Sequence, residues 1–191
     1  MSARIKNKWL NLAFYIFYPF MKHKTKIYIK LNKPHGYECS HAPANHESVF
    51  SLFPPELIKT GLQCAGRLDF DTTGLLLLSN DGEFIHQIEH PKKGFAKTYM
   101  ATLAEPLTEE MQKKLIAGVQ LRNEKRPCTT LKLKLMAENI AEIAIKGGVY
   151  HQVKRMFAAV GNRVTALHRS KIGDYELGEL KTGEWENFYI T

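Results

Sequence analysis

The chain changes character sharply at one place. A polar loop, Gly66-Arg67-Leu68-Asp69-Phe70-Asp71-Thr72-Thr73-Gly74, runs straight into Leu75 to Leu78, and Ser79-Asn80-Asp81-Gly82 closes the run as a turn. Four leucines are too few for a helix, and a fully apolar run of this length reads as a strand buried on both faces. Other stretches alternate. Lys26 to Leu31 places Ile27, Ile29 and Leu31 on one side of a half-buried strand. Asn32-Lys33-Pro34-His35-Gly36 then has turn chemistry, and Leu62 to Ala65 leads as a strand into the polar loop. Val49 to Phe53 is a short apolar segment ended by Pro54-Pro55.

The second half follows the same logic. Glu83 to Glu89 fits a short helix that Pro91 ends, and Lys97 to Leu103 a strand. Thr108 caps a helix over Glu109 to Ala117, with acids in its first turn, lysines later and Gly118 at the stop. Leu131, Leu133 and Leu135 alternate with lysines, Ile143 and Ile145 share one side of the next strand, and Gly147-Gly148 makes a turn. From His151 to Val160, Val153, Met156, Phe157 and Val160 form one helical face, while His151, Lys154 and Arg155 fall on another. Arg163 to His168 and Ile172 to Leu177 read as two closing strands. Strands dominate, so the pattern predicts an α+β domain built on a large, mostly antiparallel sheet.

Composition adds a partner class. The 191 residues suit one domain, and 44% hydrophobic content is ordinary for a globular chain. A net charge of +8 favours a polyanionic partner, since lysine and arginine gain by neutralising phosphates and releasing counterions. Cys39, Cys64 and Cys128 are odd in number and form no Cys-x-x-Cys pair, which points to reduced thiols in a cytoplasmic protein. His41, His46, His86 and His90 lack metal-ligand spacing, so no metal is expected. Residues 1–25 stand apart: a basic start, an apolar run from Trp9 to Phe20, then lysines. The run is too short to span a bilayer, and no small-residue cleavage site follows it. A short packed helix or strand and a membrane-surface anchor are its two remaining readings.

The polar loop holds the candidate chemistry. A carboxylate beside a low-dielectric core needs a partner, so Asp69 and Asp71 either brace the loop as Asx-turns or serve a site. The basic face of the His151 to Val160 helix is either solvated or supplies that partner.

These residues carry a resemblance. Gly66-Arg67-Leu68-Asp69, Asp71-Thr72-Thr73-Gly74 and the leucine run resemble the signature of pseudouridine synthases, in particular the small-subunit ribosomal RNA (RsuA-type) branch. Asn32-Lys33-Pro34 with Gly36, Lys97-Thr98-Tyr99, and Gly148-Val149-Tyr150-His151-Gln152-Val153-Lys154-Arg155-Met156-Phe157 match in the same order. The likeness extends from about Ile27 to Trp185. It implies a catalytic domain over 26–191 with two lobes and a central cleft, and isomerisation of one uridine of 16S ribosomal RNA to pseudouridine. The family usually carries a small S4-type RNA-binding domain before this part, and none is legible in 1–25.

By the same resemblance Asp69 is the catalytic carboxylate, paired with Lys154 in a site largely closed to water, with Arg155 the second choice for that pairing or a phosphate contact. Tyr99 stacks on a flipped-out uridine, and its hydroxyl assists loss of the C5 proton. Arg67, Lys33, Lys97, His151 and Arg155 are candidates for RNA contact, Arg67 alternatively bridging to Asp71. Thr72 and Thr73 support the loop with Asp71. No cofactor is implied, the partner is ribosomal RNA or a small-subunit assembly particle, and a cytoplasmic monomer without a membrane is expected. Two alternatives remain: a synthase acting on 23S ribosomal RNA, and a basic RNA-binding or ribosome-assembly protein without catalysis. The second has no use for Asp69 and Tyr99 in register.

Overall fold

The four leucines explain the architecture. In the computed structural model, which describes residues 25–90 and 95–190, they lie in β5 (Thr72–Ser79) and are fully buried on both faces. Leu76 and Leu78 face one apolar cluster, Leu75 and Leu77 another, so this strand divides two cores. Burying an apolar side chain stabilises by about 1.5–3 kcal/mol, and here every residue of the run contributes.

One nine-stranded mixed sheet spans both halves. Its strands are β1 (Tyr28–Lys33), β4 (Gln63–Ala65), β5, β6 (Lys97–Leu103), β7 (Thr130–Ala137), β8 (Ile140–Ile145), β9 (Val164–Ile172), β10 (Tyr175–Glu176) and β11 (Trp185–Asn187). The main path is β11-β1-β5-β9-β6-β8-β7, with β4 on β5 and β10 on β9. Only the β5–β9 pairing is parallel, and it joins the two halves that the resemblance reads as lobes. β2 (Tyr37–Glu38) and β3 (Glu47–Ser48) form a small parallel pair, followed by a 3-10 turn at Val49–Leu52.

Four helices are described: α1 (Pro55–Ile58), α2 (Gly82–Glu89), α3 (Glu109–Ala117) and α4 (Gln152–Ala159). Asp81 caps α2 by accepting from the Glu83 N–H, and Thr108 caps α3 by accepting from the Met111 N–H. α2 buries Phe84 and Ile88 in one core, while α4 buries Val153, Met156 and Phe157 in the other.

Some expectations need correction. Arg163 to Leu177 is not two strands broken near Arg169. β9 runs unbroken to Ile172, because Arg169 is buried and its Nε donates to the Leu75 carbonyl at 2.8 Å. The reversal comes later, at Gly173. Lys33 belongs to β1 rather than to the turn after it. On the edge strand β7, Leu131 and Leu135 are exposed, and two register shifts interrupt its pairing with β8. Residues 1–24 and Pro91 lie outside the described residues, so the expectations for the N-terminal segment and the helix stop do too. Among the described residues no helix is long and apolar enough to cross a membrane.

The β5–β9 contact sets a strict demand at Gly74. Its φ is +99°, and a Cβ there would lie 2.3 Å from the Arg169 carbonyl oxygen. Gly74→Ala therefore combines a left-handed backbone with a clash against main chain. It should destabilise by at least about 2 kcal/mol, measured as a lowered urea midpoint. Gly36→Ala is the control: its φ is +88° but the space around it is open, so its loss should be smaller.

Candidate active site

The polar loop is anchored from below before it presents anything to solvent. Lys33, opposite Gly74 in the β1–β5 register, is fully buried. Its Nζ donates to the carbonyls of Pro34, Phe70 and Thr72 at 2.9, 3.2 and 2.9 Å. Burial pushes its pKa below the ordinary lysine value. Lys33 is thus a loop anchor, not the RNA contact suggested by its place in a turn. The Thr72 N–H donates to the Asp69 carbonyl at 3.1 Å, and Gly36 N–H to Phe70 at 2.7 Å. Arg169 Nη1 reaches the Arg67 carbonyl at 3.4 Å. The Leu68 N–H donates to Cys39 Sγ at 3.5 Å. With its backbone held at Arg67, Leu68, Asp69, Phe70 and Thr72, the loop presents Asp69 in a defined position.

Helix α4 approaches from the other side. Its apolar face packs into the core, and the opposite face brings Lys154 between two carboxylates. Lys154 Nζ lies 3.1 Å from Asp69 Oδ2 and 2.6 Å from Asp71 Oδ1. His151 Nε2 lies 3.3 Å from Asp69 Oδ1. The His151 backbone is left-handed, with φ of 49°, an uncommon state for a residue with a Cβ. Its ring stacks on Tyr150 at 3.7 Å between centroids.

The electrostatics favour a charged Lys154–Asp71 pair. Burial acts to lower the Lys154 pKa, but its hydrogen bonds to Asp71 and Asp69 and their charges together outweigh it and hold it above the ordinary lysine value. Burial likewise acts to raise the Asp71 pKa, and the Lys154 hydrogen bond and charge, with a backbone hydrogen bond and His151, together outweigh it, leaving a carboxyl below its usual range. Asp71 loses its contribution as pH falls through that lowered pKa, and Lys154 loses its own as pH rises through its raised one. Between about pH 5 and about pH 10 Lys154 and Asp71 keep their charges.

Asp69, but not Asp71, lines a cavity of about 460 Å³ between the loop, β6, β9 and α4. That size is within the range of small-molecule sites. Tyr99 and Lys97 face it together, because β6 alternates strictly and Lys97, Tyr99, Ala101 and Leu103 all point inward. Tyr99 is buried, with Arg169 Cζ 6.0 Å from its ring centre. Arg67 is exposed at the rim, and Lys154 holds the place beside Asp71 that Arg67 alternatively filled.

The remaining candidates divide. The Arg155 guanidinium is taken up by Glu124 at 3.0 Å and by the carbonyls of Tyr150 and Arg122, so it braces α4 against the Arg122–Glu124 loop. Thr73 supports the loop through its hydroxyl, 2.9 Å from His168 Nδ1. Thr72 acts through its backbone instead, since its buried hydroxyl has no hydrogen-bond partner among the described residues. Arg169, buried on the inner face of β9 in phase with Leu167, joins these candidates from the structure. An arginine in phase with a core leucine is the signal that marks it.

An anchored carboxylate, a lysine beside it and an aromatic across a nucleotide-sized cavity agree with the comparisons. The model of a family described as RNA pseudouridylate synthase matches residues 27–159. The chain belongs to this family of RNA pseudouridine synthases. Its relatives include the ribosomal small subunit pseudouridine synthase A of Haemophilus influenzae, 45% identical over 83% of this chain and 68% of that protein. The protein of the same name from Vibrio vulnificus is 46% identical over 86% of this chain and 70% of its own length. A solved pseudouridylate synthase superposes with a TM-score of 0.82 at 43% identity, covering 87% of this chain and 72% of the other. As an RsuA-type synthase the protein is an isomerase, and the match places the polar loop, Tyr99 and α4 inside the shared domain.

Proposed function

We propose that this synthase converts a specific uridine of small-subunit ribosomal RNA into pseudouridine, with Asp69 as the acting carboxylate. The observation that carries this reading is the placement of Asp69: it alone of the two loop acids lines the cavity, with Lys154 and His151 at its oxygens. The substrate comes from the names of the relatives, which act on the ribosomal small subunit. A stacked uridine is out of reach of a walled carboxylate, so the nucleotide leaves its stack and enters the cavity.

The isomerisation is redox-neutral. The N1–C1′ bond breaks and its electron pair stays on the base. Asp69 either bonds C1′ through a carboxylate oxygen, as a retaining glycosidase does, or takes the C2′ proton to leave a glycal. The base turns, C5 gives its electron pair to C1′, and the sugar is released from Asp69 or regains its proton. Loss of the C5 proton and protonation of N1 restore a neutral base. Lys154 holds and orients the Asp69 carboxylate, while Tyr99 offers a face for the base.

Purified protein incubated with deproteinised small-subunit and large-subunit ribosomal RNA tests this reading. Pseudouridine should appear at one uridine of the small-subunit RNA. Conversion confined to the large-subunit RNA would move the substrate to the other subunit, and no conversion in either RNA or its particle would leave an RNA-binding role. With a net charge of +8, binding should also weaken steeply as salt rises from 50 to 200 mM. A flat salt dependence would contradict a phosphate-led grip.

A further inference from the structure

Two cations on the inner wall of the cavity form no ion pair with the acids that also line it, Glu38, Glu89 and Asp69, among the described residues, and Glu89 accepts from the Gly66 N–H instead. Lys97 and Arg169 both line it, and both are almost wholly buried. Lys97 Nζ donates to one carbonyl, that of Gly147, at 2.8 Å, and makes no ion pair among the described residues. Arg169 spends Nε and Nη1 on the Leu75 and Arg67 carbonyls, and its buried Nη2 has no hydrogen-bond partner. The carboxylates Asp69 and Asp71 are already engaged by Lys154. Two buried positive groups side by side are unfavourable for the fold alone, because burial and mutual repulsion both oppose them.

An anion that arrives with the substrate would complete this wall. Two anions are on offer, a phosphate and the base itself after the glycosidic bond breaks. The phosphates continue into the RNA chain on both sides and belong at the rim. The base lies deepest, against Tyr99, whose ring stands over Arg169.

Resting on the function proposed above, we propose that Lys97 and Arg169 stabilise the uracil anion while it is detached from the sugar. The Lys97 ammonium pairs with a ring carbonyl oxygen, on which the negative charge from N1 is delocalised. Arg169 acts from beneath Tyr99 as a fixed positive charge that positions and polarises the base. Both groups are set in place before the bond breaks, so no reorganisation opposes the step. Turning the base exchanges N1 for C5 at C1′ but keeps a carbonyl oxygen within reach of Lys97, so the anion is held through the rotation.

The titration of Lys97 supplies a signature. Burial first, then the Arg169 charge, lowers its pKa to about 8, and Glu89 on α2 opposes this weakly. As a cation that must be charged, it should make the single-turnover rate fall as pH rises through about 8. Replacing Lys97 removes a charge that burial disfavours, so the fold should tolerate Lys97→Met.

The test uses the full chain and a small-subunit RNA fragment with uridine or 5-fluorouridine at the target. Fluorine at C5 withdraws electrons and stabilises the departing anion, so it compensates for a missing cation. Cleavage of the N1–C1′ bond at uridine should slow by about 100-fold in Lys97→Met, and by less than about 10-fold at 5-fluorouridine. The fall in rate above pH 8 should vanish in the variant, and Arg169→Lys should retain more activity than Arg169→Met. Equal slowing on both bases, an unchanged rate, or a wild-type rate that rises through pH 8 overturns the proposal. The last of these would make Lys97 a proton acceptor, and it needs no variant. A wild type that forms no pseudouridine refutes the function itself, whereas an active wild type with an indifferent Lys97→Met refutes only this inference.

Discussion

Asp69→Asn should stop turnover while leaving the fold and the RNA grip almost unchanged. The substitution keeps the side-chain shape but removes the charge that must bond C1′ or accept a proton, and an amide does neither at a useful rate. A loss of at least about 1,000-fold in single-turnover rate is expected, the range seen when a nucleophile or its base is removed. Binding should change little, because the loop is held by Lys33, Gly36, Thr72 and Arg169 through backbone atoms that Asn keeps. Asp71→Asn is the matched comparison. Asp71 makes the shorter contact to Lys154 but does not line the cavity, so it positions the lysine and should cost only about 10-fold. If Asp71→Asn proved the more damaging of the two, the roles would have to be exchanged.

Lys154→Met should lower activity by about 100-fold. Its cost in stability should be small. A fully buried pair left without its cation loses roughly 3–5 kcal/mol. Here the side chains of Lys154, Asp69 and Asp71 remain 22, 29 and 39% exposed. Solvent screening at that exposure reduces the expected loss to about 1 kcal/mol. The site is thus less closed to water than the resemblance implied. With the lysine gone, Asp69 and Asp71 lose the cation between them, and two close carboxylates resist joint ionisation. Activity of the variant should climb as pH rises from about 5 to about 7, where the wild type stays flat because Lys154 and Asp71 keep their charges. Rate–pH profiles at saturating RNA decide this. Weaker binding with a normal maximal rate would instead make Lys154 a phosphate contact.

What the sequence revealed depended on whether the physical cause was local. The α3 helix is legible over Glu109 to Ala117 because Thr108, the first-turn acids and Gly118 all act within the segment. The leucine run is legible as a strand because only a strand that short buries every residue. The α4 face is legible for the same reason, since helical spacing separates Val153, Met156 and Phe157 from Lys154.

The misread residues owe their roles to distant partners. Lys33 reads as a turn lysine until β1 pairs with β5 and brings the Phe70 and Thr72 carbonyls around its Nζ. Arg155 reads as free until Glu124 and the Arg122 carbonyl, some thirty residues earlier, occupy it. Arg169 reads as a strand break, although it is the residue that ties β9 to Leu75 and the loop to the sheet. His151 reads as an RNA contact until its left-handed backbone and its place beside Asp69 are seen.

The most direct test of Asp69 as the acting carboxylate is a map of pseudouridine in small-subunit ribosomal RNA from cells lacking the protein. The cells are complemented in parallel with the wild-type chain and with Asp69→Asn at equal abundance. Pseudouridine at one uridine should be absent without the protein, return with the wild type and stay absent with Asp69→Asn. Its return with Asp69→Asn would contradict the account.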